Sequence, residues 1–305
     1  MGRALLSLNP HDYEYVASSR LEKPRLEKGT EWRRSPDLSG SSNWASALDG
    51  IDSVVHLAGR VHMPSGRNSV AYLSENCEGT LKLARDASAA GVRQLIFLSS
   101  AKVFGEESGA VPFTESSPTI PEDAYAASKL AAERALRRLG GRMQIAILRS
   151  PLVYGPEVKA NFLALIRGID SGVPLPLASI RNRRSLIGVD NLASAIIACL
   201  QSEKAAGCTY CVTDGAPVST PELVRAIASG LGKPARLFGL APEVLEICAA
   251  AIGRGRTATR LTRSLELDDI AIRSELGWRP VKTFEEGIRE ATSWYKRLKL
   301  RISSP

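Results

Sequence analysis

The chain has 305 residues, 44% hydrophobic and 24% charged, which excludes a disordered or fibrous protein and allows one large or two modest globular domains with an ample core. No apolar run approaches the ~20 residues that cross a bilayer; the best, VLEICAAAIG at 244–253, is short and carries Glu246. A formal charge of +8 suits either a nucleic-acid partner or an enzyme for phosphorylated compounds.

The basic residues are dispersed except for RNRR at 181–184 and YKRLKLR at 295–301. Neither has the interleaved aromatics of a single-strand binder, and no zinc-finger or basic-zipper pattern occurs, so no nucleic-acid partner is expected. The first residues do not read as a signal peptide, because ALLSL is too short an apolar core and no small-residue cleavage site follows. Five scattered cysteines fit a reducing compartment, and a cytoplasmic protein is expected. CTYC at 208–211 matches C-x-x-C, but its alternating context sends the two thiols to opposite faces of a strand. With no second pair or histidine cluster beside them, structural thiols are expected and a metal site is not.

In chain order, Ala4, Leu5, Leu6 and Leu8 follow a glycine with helical spacing, NPHD stops the run, and YEYVA at 13–17 reads as a strand. SVVHLAG at 53–59 is a second strand and 69–91 a long helix stopped by Gly91. RQLIFLSS at 93–100 and MQIAILRS at 143–150 are buried strands flanking a helix at 122–141, which has acidic residues in its first turn and a glycine stop. Near-continuous apolar strands separated by long helices imply an α/β fold with a doubly wound parallel sheet. Ligands in such sheets sit at the carboxyl ends of the strands. After about residue 155 the pattern shifts to helices broken by Gly and Pro, with short strands at 209–213 and 234–238. The division expected is a dinucleotide-binding domain over 1–155, completed by 186–213, and a substrate-binding region over 156–185 and 214–305.

The sharpest signal is AYAASKL, which stacks Tyr125 and Lys129 on one helical face. An isolated Y-x-x-x-K is ordinarily a surface pair. Here FLSSAKVFG places Ser99 and Ser100 at the end of a buried strand, VVHLAG ends the strand before, and LRSPLVYGP ends the strand after. With these motifs in this order the sequence resembles the extended short-chain dehydrogenases/reductases, in their NAD(P)-dependent nucleotide-sugar epimerase/dehydratase branch. The resemblance continues through RRSLIGVDNLASAI and ELGWRPVKTFEEGIREA, so it covers the whole chain.

The resemblance implies a Rossmann-like domain and a catalytic set of Ser100, Tyr125 and Lys129. Oxidising an alcohol or reducing a ketone by hydride exchange needs a group that moves the hydroxyl proton. A phenol, with its pKa near ~10, acts as a base at neutral pH only if its phenolate is favoured by roughly 4 kcal/mol, which brings that pKa down by about three. Lys129 and oxidised nicotinamide are suited to supply this, with Ser100 steadying the reacting oxygen. Ser100 is preferred over Ser99 because it stands three residues before VFG. The resemblance also assigns cofactor contacts to Gly2, Asp37, Leu38, Leu57, Ala58, Gly59, Asn76, Tyr125, Lys129 and Pro151. Arg20, just after the strand at 13–17, which the resemblance makes the family's second, suits a 2′-phosphate, so NADP is preferred over NAD. Substrate contacts fall on Ser100, Lys102, Asn161 and Arg184, the arginine fork fitting diphosphate oxygens. His11, His56 and His62 are expected in core or surface roles.

Sugar dehydratases of this branch carry an acidic pair after the catalytic Ser or Thr; here Ala101 and Lys102 stand there. That leaves reduction of a 4-keto sugar or 4-epimerisation, on a nucleotide sugar of the UDP-hexose class. RVHM, KV and RNRRSL are similar to bacterial 4-keto-sugar reductases and tilt the expectation toward reduction. A homodimer is allowed, and a non-catalytic binding relative is the rival from another class. Finally, MGRALL matches only the end of the family's G-x-x-G-x-x-G loop, with Gly2 as its third glycine. The expectation is a sheet lacking its first strand and most of the glycine loop, through a misplaced start or a true truncation, giving poor dinucleotide binding and marginal stability.

Overall fold

The computed structural model describes residues 1–8, 13–20, 26, 29–61 and 69–303, so the readings made for His11 and His62 lie outside it. Its centre is the pair β4 (Gln94–Ser100) and β5 (Gln144–Ser150), hydrogen-bonded in parallel with Ser100 opposite Ser150. β4 is buried at every position but its last, as its unbroken apolar run requires. β3 (Ser53–His56) adds to one side and β8 (Thr209–Cys211) to the other, giving a four-stranded parallel sheet in the order β3-β4-β5-β8.

Strand alternation sorts the core onto two faces. Leu95, Phe97 and Ile147 pack against α4 (Thr80–Ala89) and α5 (Ala124–Arg137) through Leu83, Ala87, Ala132 and Leu136. Ile96, Leu98 and Leu148 face the other way, onto Leu5 of α1 (Gly2–Leu8) and Leu192 and Ile196 of α7 (Val189–Leu200). Helices on both faces of a parallel sheet make the doubly wound α/β architecture.

β1 (Val16–Ser19) and β2 (Glu31–Arg34) form a separate parallel pair, with Ser19 opposite Arg34. No described strand joins β1 to β3. The edges of the two sheets bound a cavity of about 1500 Å3 lined by Val16, Ser18, Ser53 and Val55, with Met1 and Leu5 at its wall.

Two expected elements differ. The helix at 69–91 is α3 (Ser69–Leu73) and α4 joined by a π-helical turn, Ser74–Gly79, of the kind that marks functional sites. The stretch 234–238 makes only an isolated bridge, Leu237 to Leu175. Beyond the sheet, α6 (Ala160–Asp170), α8 (Thr220–Leu231) and α12 (Phe284–Ser303) enclose a second core around Phe162, Ile166, Val224, Ile227 and Ile288. β6 (Leu152–Tyr154) pairs with β7 (Leu186–Gly188) at its boundary. Ile272 of α11 (Ile270–Leu276) and Trp278 are buried with the sheet's own core, so the stretch from 214 serves both cores.

Candidate active site

Ser100 closes β4 in extended geometry, and the chain then turns through Ala101–Val103, with the Ser100 hydroxyl accepting from the Lys102 amide at 3.3 Å. That turn leaves the serine at the carboxyl edge of the sheet. Asp123 caps α5 by accepting from the Ala126 amide at 2.7 Å, which fixes where the helix starts and therefore where Tyr125 stands. The Tyr125 phenol lies near the Ser100 hydroxyl, which favours its ionised form. Burial, reinforced by Asp123 and Tyr72, pushes the phenol up to about 12 despite that hydroxyl.

One turn along, Lys129 is 5% exposed; its ammonium donates to the Leu98 carbonyl at 2.9 Å and lies 4.6 Å from the Phe97 ring centroid. Burial draws its pKa down to about 8, against the pull of Glu133. Gly59 makes room for this group, since a Cβ there would lie 3.0 Å from Asn76 Oδ1 and 3.4 Å from Lys129 Nζ. Asn76, fully buried in the π-helical turn, accepts from the Arg60 amide and donates to the Arg60 carbonyl and the Ser128 hydroxyl. It thereby ties the loop after β3 to α5.

The remaining sequence-predicted residues fall into three places. Gly2, Leu57 and Ala58 line the cavity between the two sheets. Arg20 follows β1 and lies 4.0 Å from Asp37, both exposed, while Leu38 is buried against Gly79, where a Cβ would meet its carbonyl carbon at 2.7 Å. Pro151 follows β5, beside Ser150. Lys102 does not face free solvent as a ready substrate ligand: it donates to Glu106 at 2.6 Å and Asp123 at 2.7 Å. Arg260 of α10 (Gly255–Thr262) reaches the same carboxylates. Arg184 joins this charged cluster; burial lowers its pKa while Glu106 raises it, and its guanidinium donates to the Arg263 carbonyl. Asn161 is exposed in the first turn of α6, and its side chain is not brought into the cluster. His56 is a core residue: it stacks on Phe97, shares a hydrogen bond with Thr80, and is held neutral with its pKa at about 3 by burial and by Lys129.

Sequence reasoning missed the support beneath the site. Glu133, fully buried, receives Arg149, which is 2% exposed, at 2.7 Å, and also the Ser99 hydroxyl. Arg149 lies over Phe104 and donates to the Glu115 carbonyl. The available signal was a Glu four residues after Lys129, with an Arg inside an otherwise apolar strand. Ser99 thus bonds to the support, whereas Ser100 is the one of the two that acts on the phenol.

A serine at the end of β4, and a phenol and a buried ammonium from α5, meet beside a glycine whose Cβ would crowd Asn76 and Lys129, and this donor set fits a nicotinamide dinucleotide. Residues 1–212 match the NAD dependent epimerase/dehydratase family. The chain belongs to this family. The UDP-glucose 4-epimerase of Vibrio cholerae is 36% identical over 261 residues, 83% of this chain and 80% of that protein. The dTDP-glucose 4,6-dehydratase of Neisseria gonorrhoeae is 28% identical over 276 residues, 82% of this chain and 76% of that protein. Among solved structures, MoeE5 in complex with UDP-glucuronic acid and NAD superposes with a TM-score of 0.77 at 23% identity, covering 97% of this chain and 95% of its own. The UDP-glucuronic acid 4-epimerase from Bacillus cereus in complex with NAD gives 0.77 at 20% identity, covering 97% and 94%. These last two likenesses show the shared fold. As a member of this family the chain is an NAD-dependent nucleotide-sugar enzyme of the epimerase/dehydratase class. No described helix is long and apolar enough to cross a membrane, and no metal-binding group occurs among the described residues.

Proposed function

We propose that the chain reduces a 4-keto nucleotide sugar of the UDP-hexose class, with Ser100, Tyr125 and Lys129 as its catalytic residues. The observation that carries this reading is the alignment of the Tyr125 phenol with Ser100 at the end of β4, one helical turn from Lys129. Bound nicotinamide dinucleotide supplies the hydride. Ser100 holds the carbonyl oxygen, and Tyr125, a protonated phenol at neutral pH, gives it the proton as the carbonyl carbon becomes a carbinol. Lys129 holds the ribose side of the cofactor and favours the phenolate left behind. Gly59, Asn76 and Pro151 shape the nicotinamide side; Arg20 takes the 2′-phosphate of NADP, beside Asp37 and Leu38.

Loss of water from the sugar is disfavoured because no acid stands next to Ser100: Ala101 is buried, and Lys102 is a cation clamped by Glu106 and Asp123. In this reading Arg184 and Lys102 take the diphosphate, Lys102 once released from Glu106 and Asp123.

A second reading, 4-epimerisation of a UDP-hexose, is favoured by the 36% identity to the Vibrio cholerae UDP-glucose 4-epimerase. The two separate in one assay. With a UDP-4-keto-6-deoxy sugar, a reductase consumes NADPH stoichiometrically. An epimerase leaves cofactor absorbance unchanged and interconverts UDP-glucose and UDP-galactose. Nucleotide-sugar binding with neither turnover would make the chain a non-catalytic relative.

A further inference from the structure

The helix α9 (Pro242–Ala251) carries its apolar stripe on the outside. None of its ten residues is buried. Val244, Ile247, Cys248 and Ala251 recur at i, i+3, i+4 and i+7, the spacing of one helical face, and all four are exposed, Ile247 at 69%. A surface helix ordinarily keeps that stripe for the core. Here the opposite face does the packing: Leu245 lies against the second core, while Glu246 accepts from Thr262 and pairs with Arg263 at 3.5 Å, at the end of α10. Ile252, directly after the helix, is 71% exposed.

The C-terminal end of this stripe is cationic. The chain leaves α9 through Gly253, at φ 72°, and the Arg254 amide donates back to the Ala249 carbonyl at 2.7 Å, which holds Arg254 at the helix end. Arg254 and Arg256 are exposed, and neither guanidinium meets a carboxylate among the described residues. The exposed acid of the helix, Glu243, stands in its first turn, at the other end. An apolar strip that ends in two unpaired cations is complementary to a surface that is oily inside and anionic outside. A second copy fits less well. The outer face of a ten-residue helix is about 15 Å long and about 10 Å wide, far below the ~800 Å2 that each partner contributes to a standard interface.

We propose that α9 docks the protein on an anionic lipid bilayer. The helix lies in the plane of the interface, with Val244, Ile247, Cys248 and Ala251 among the upper acyl chains, Ile252 beside them, and Arg254 and Arg256 on lipid phosphates. Apolar contact and Coulomb attraction each supply part of the hold, and the formal charge of +8 draws the chain toward the surface. The contact uses neither Ser100, Tyr125 nor Lys129, so its test is independent of which reaction the site performs.

The test sediments the full chain with vesicles of phosphatidylcholine containing about a third phosphatidylglycerol, and with phosphatidylcholine alone, at about 0.1 M salt. Binding should be at least tenfold stronger on the anionic vesicles. Ile247→Asp combined with Ile252→Asp should lower it at least tenfold, and Arg254→Glu combined with Arg256→Glu by a similar factor. Arg134→Glu combined with Arg225→Glu, at exposed arginines of α5 and α8, makes the same change in net charge and should keep at least half of the binding. All of these side chains are exposed, so melting temperatures should barely move. No binding to the anionic vesicles, undiminished binding by either α9 variant, or an equal loss in the control overturns the proposal. If an α9 variant does not fold, the unsubstituted chain decides through a polarity-sensitive dye on Cys248, the exposed one of the five cysteines. A blue shift on anionic vesicles supports the docking, and an unshifted dye on sedimented protein overturns it. A dimer that forms without lipid and is lost in Ile247→Asp would show a second copy on this face, and would also overturn it.

Discussion

Gly59 faces the ammonium of Lys129 so closely that a single methyl group built on it would lie 3.4 Å from Nζ. Lys129 is therefore confined between the loop after β3, the Leu98 carbonyl and the Phe97 ring, with little water to solvate its charge. Burial holds its pKa at about 8, below the 10.5 of a free lysine. Between these values the folded chain has released a proton that the unfolded chain keeps. Stability therefore rises with pH from about 8 to about 10.5, by on the order of 3 kcal/mol, and the full burden of the buried charge is present below pH 8. Lys129→Met should abolish turnover and remove this rise. Thermal unfolding of both chains between pH 7 and 10 measures it: parallel curves would refute the assignment.

Gly59→Ala separates space from conformation, because Gly59 does not occupy the left-handed region. The added methyl group must displace Asn76 Oδ1 or Lys129 Nζ. Stability should fall by about 1 kcal/mol while kcat/KM falls at least tenfold. An unchanged kcat/KM would show that Lys129 position is not critical.

Tyr125→Phe keeps the ring and deletes the proton donor. Turnover should fall by at least ~10²-fold with the melting temperature nearly unchanged. Ser100→Ala should lower kcat by a similar order, while Ser99→Ala, which loses a bond to Glu133 instead, should act chiefly on stability. The two serines are thus distinguished by comparing kcat against melting temperature.

The Glu133 and Arg149 pair is buried on both sides. Removing either partner strands a charge and should cost about 3–5 kcal/mol, whereas the double variant Glu133→Gln with Arg149→Met should recover part of that loss. Additive losses in a double-mutant cycle would show that the pair is not coupled.

Arg20→Ala should weaken NADPH binding at least tenfold and leave NADH binding within twofold, because only the 2′-phosphate needs a cation at the end of β1. Calorimetric titration of the two cofactors compares them directly. Equal losses would assign Arg20 to the shared part of the dinucleotide.

Much of the site was legible because its signals are local. Tyr125 and Lys129 share a face through helical spacing alone, and Ser100 is at a strand end because the apolar run stops there. The π-helical turn that buries Asn76 was invisible, since its sequence is equally compatible with a continuous helix. Arg149 was also hidden: an arginine in an apolar strand becomes intelligible only when Glu133, from a different element, is folded onto it. The cluster of Lys102, Glu106, Asp123 and Arg260 joins residues up to 158 positions apart in sequence, from 102 to 260, and no spacing rule reaches that far.

By itself the sequence determined the alternation of apolar strands and amphipathic helices, the family, and the order of the reacting side chains. These follow from periodicity and near neighbours, which the backbone enforces residue by residue. The tertiary structure decided which charges are solvated and which are stripped of water, and hence the direction of the Tyr125 and Lys129 shifts. Burial and strand pairing are properties of elements brought together from distant parts of the chain, and packing alone determines them.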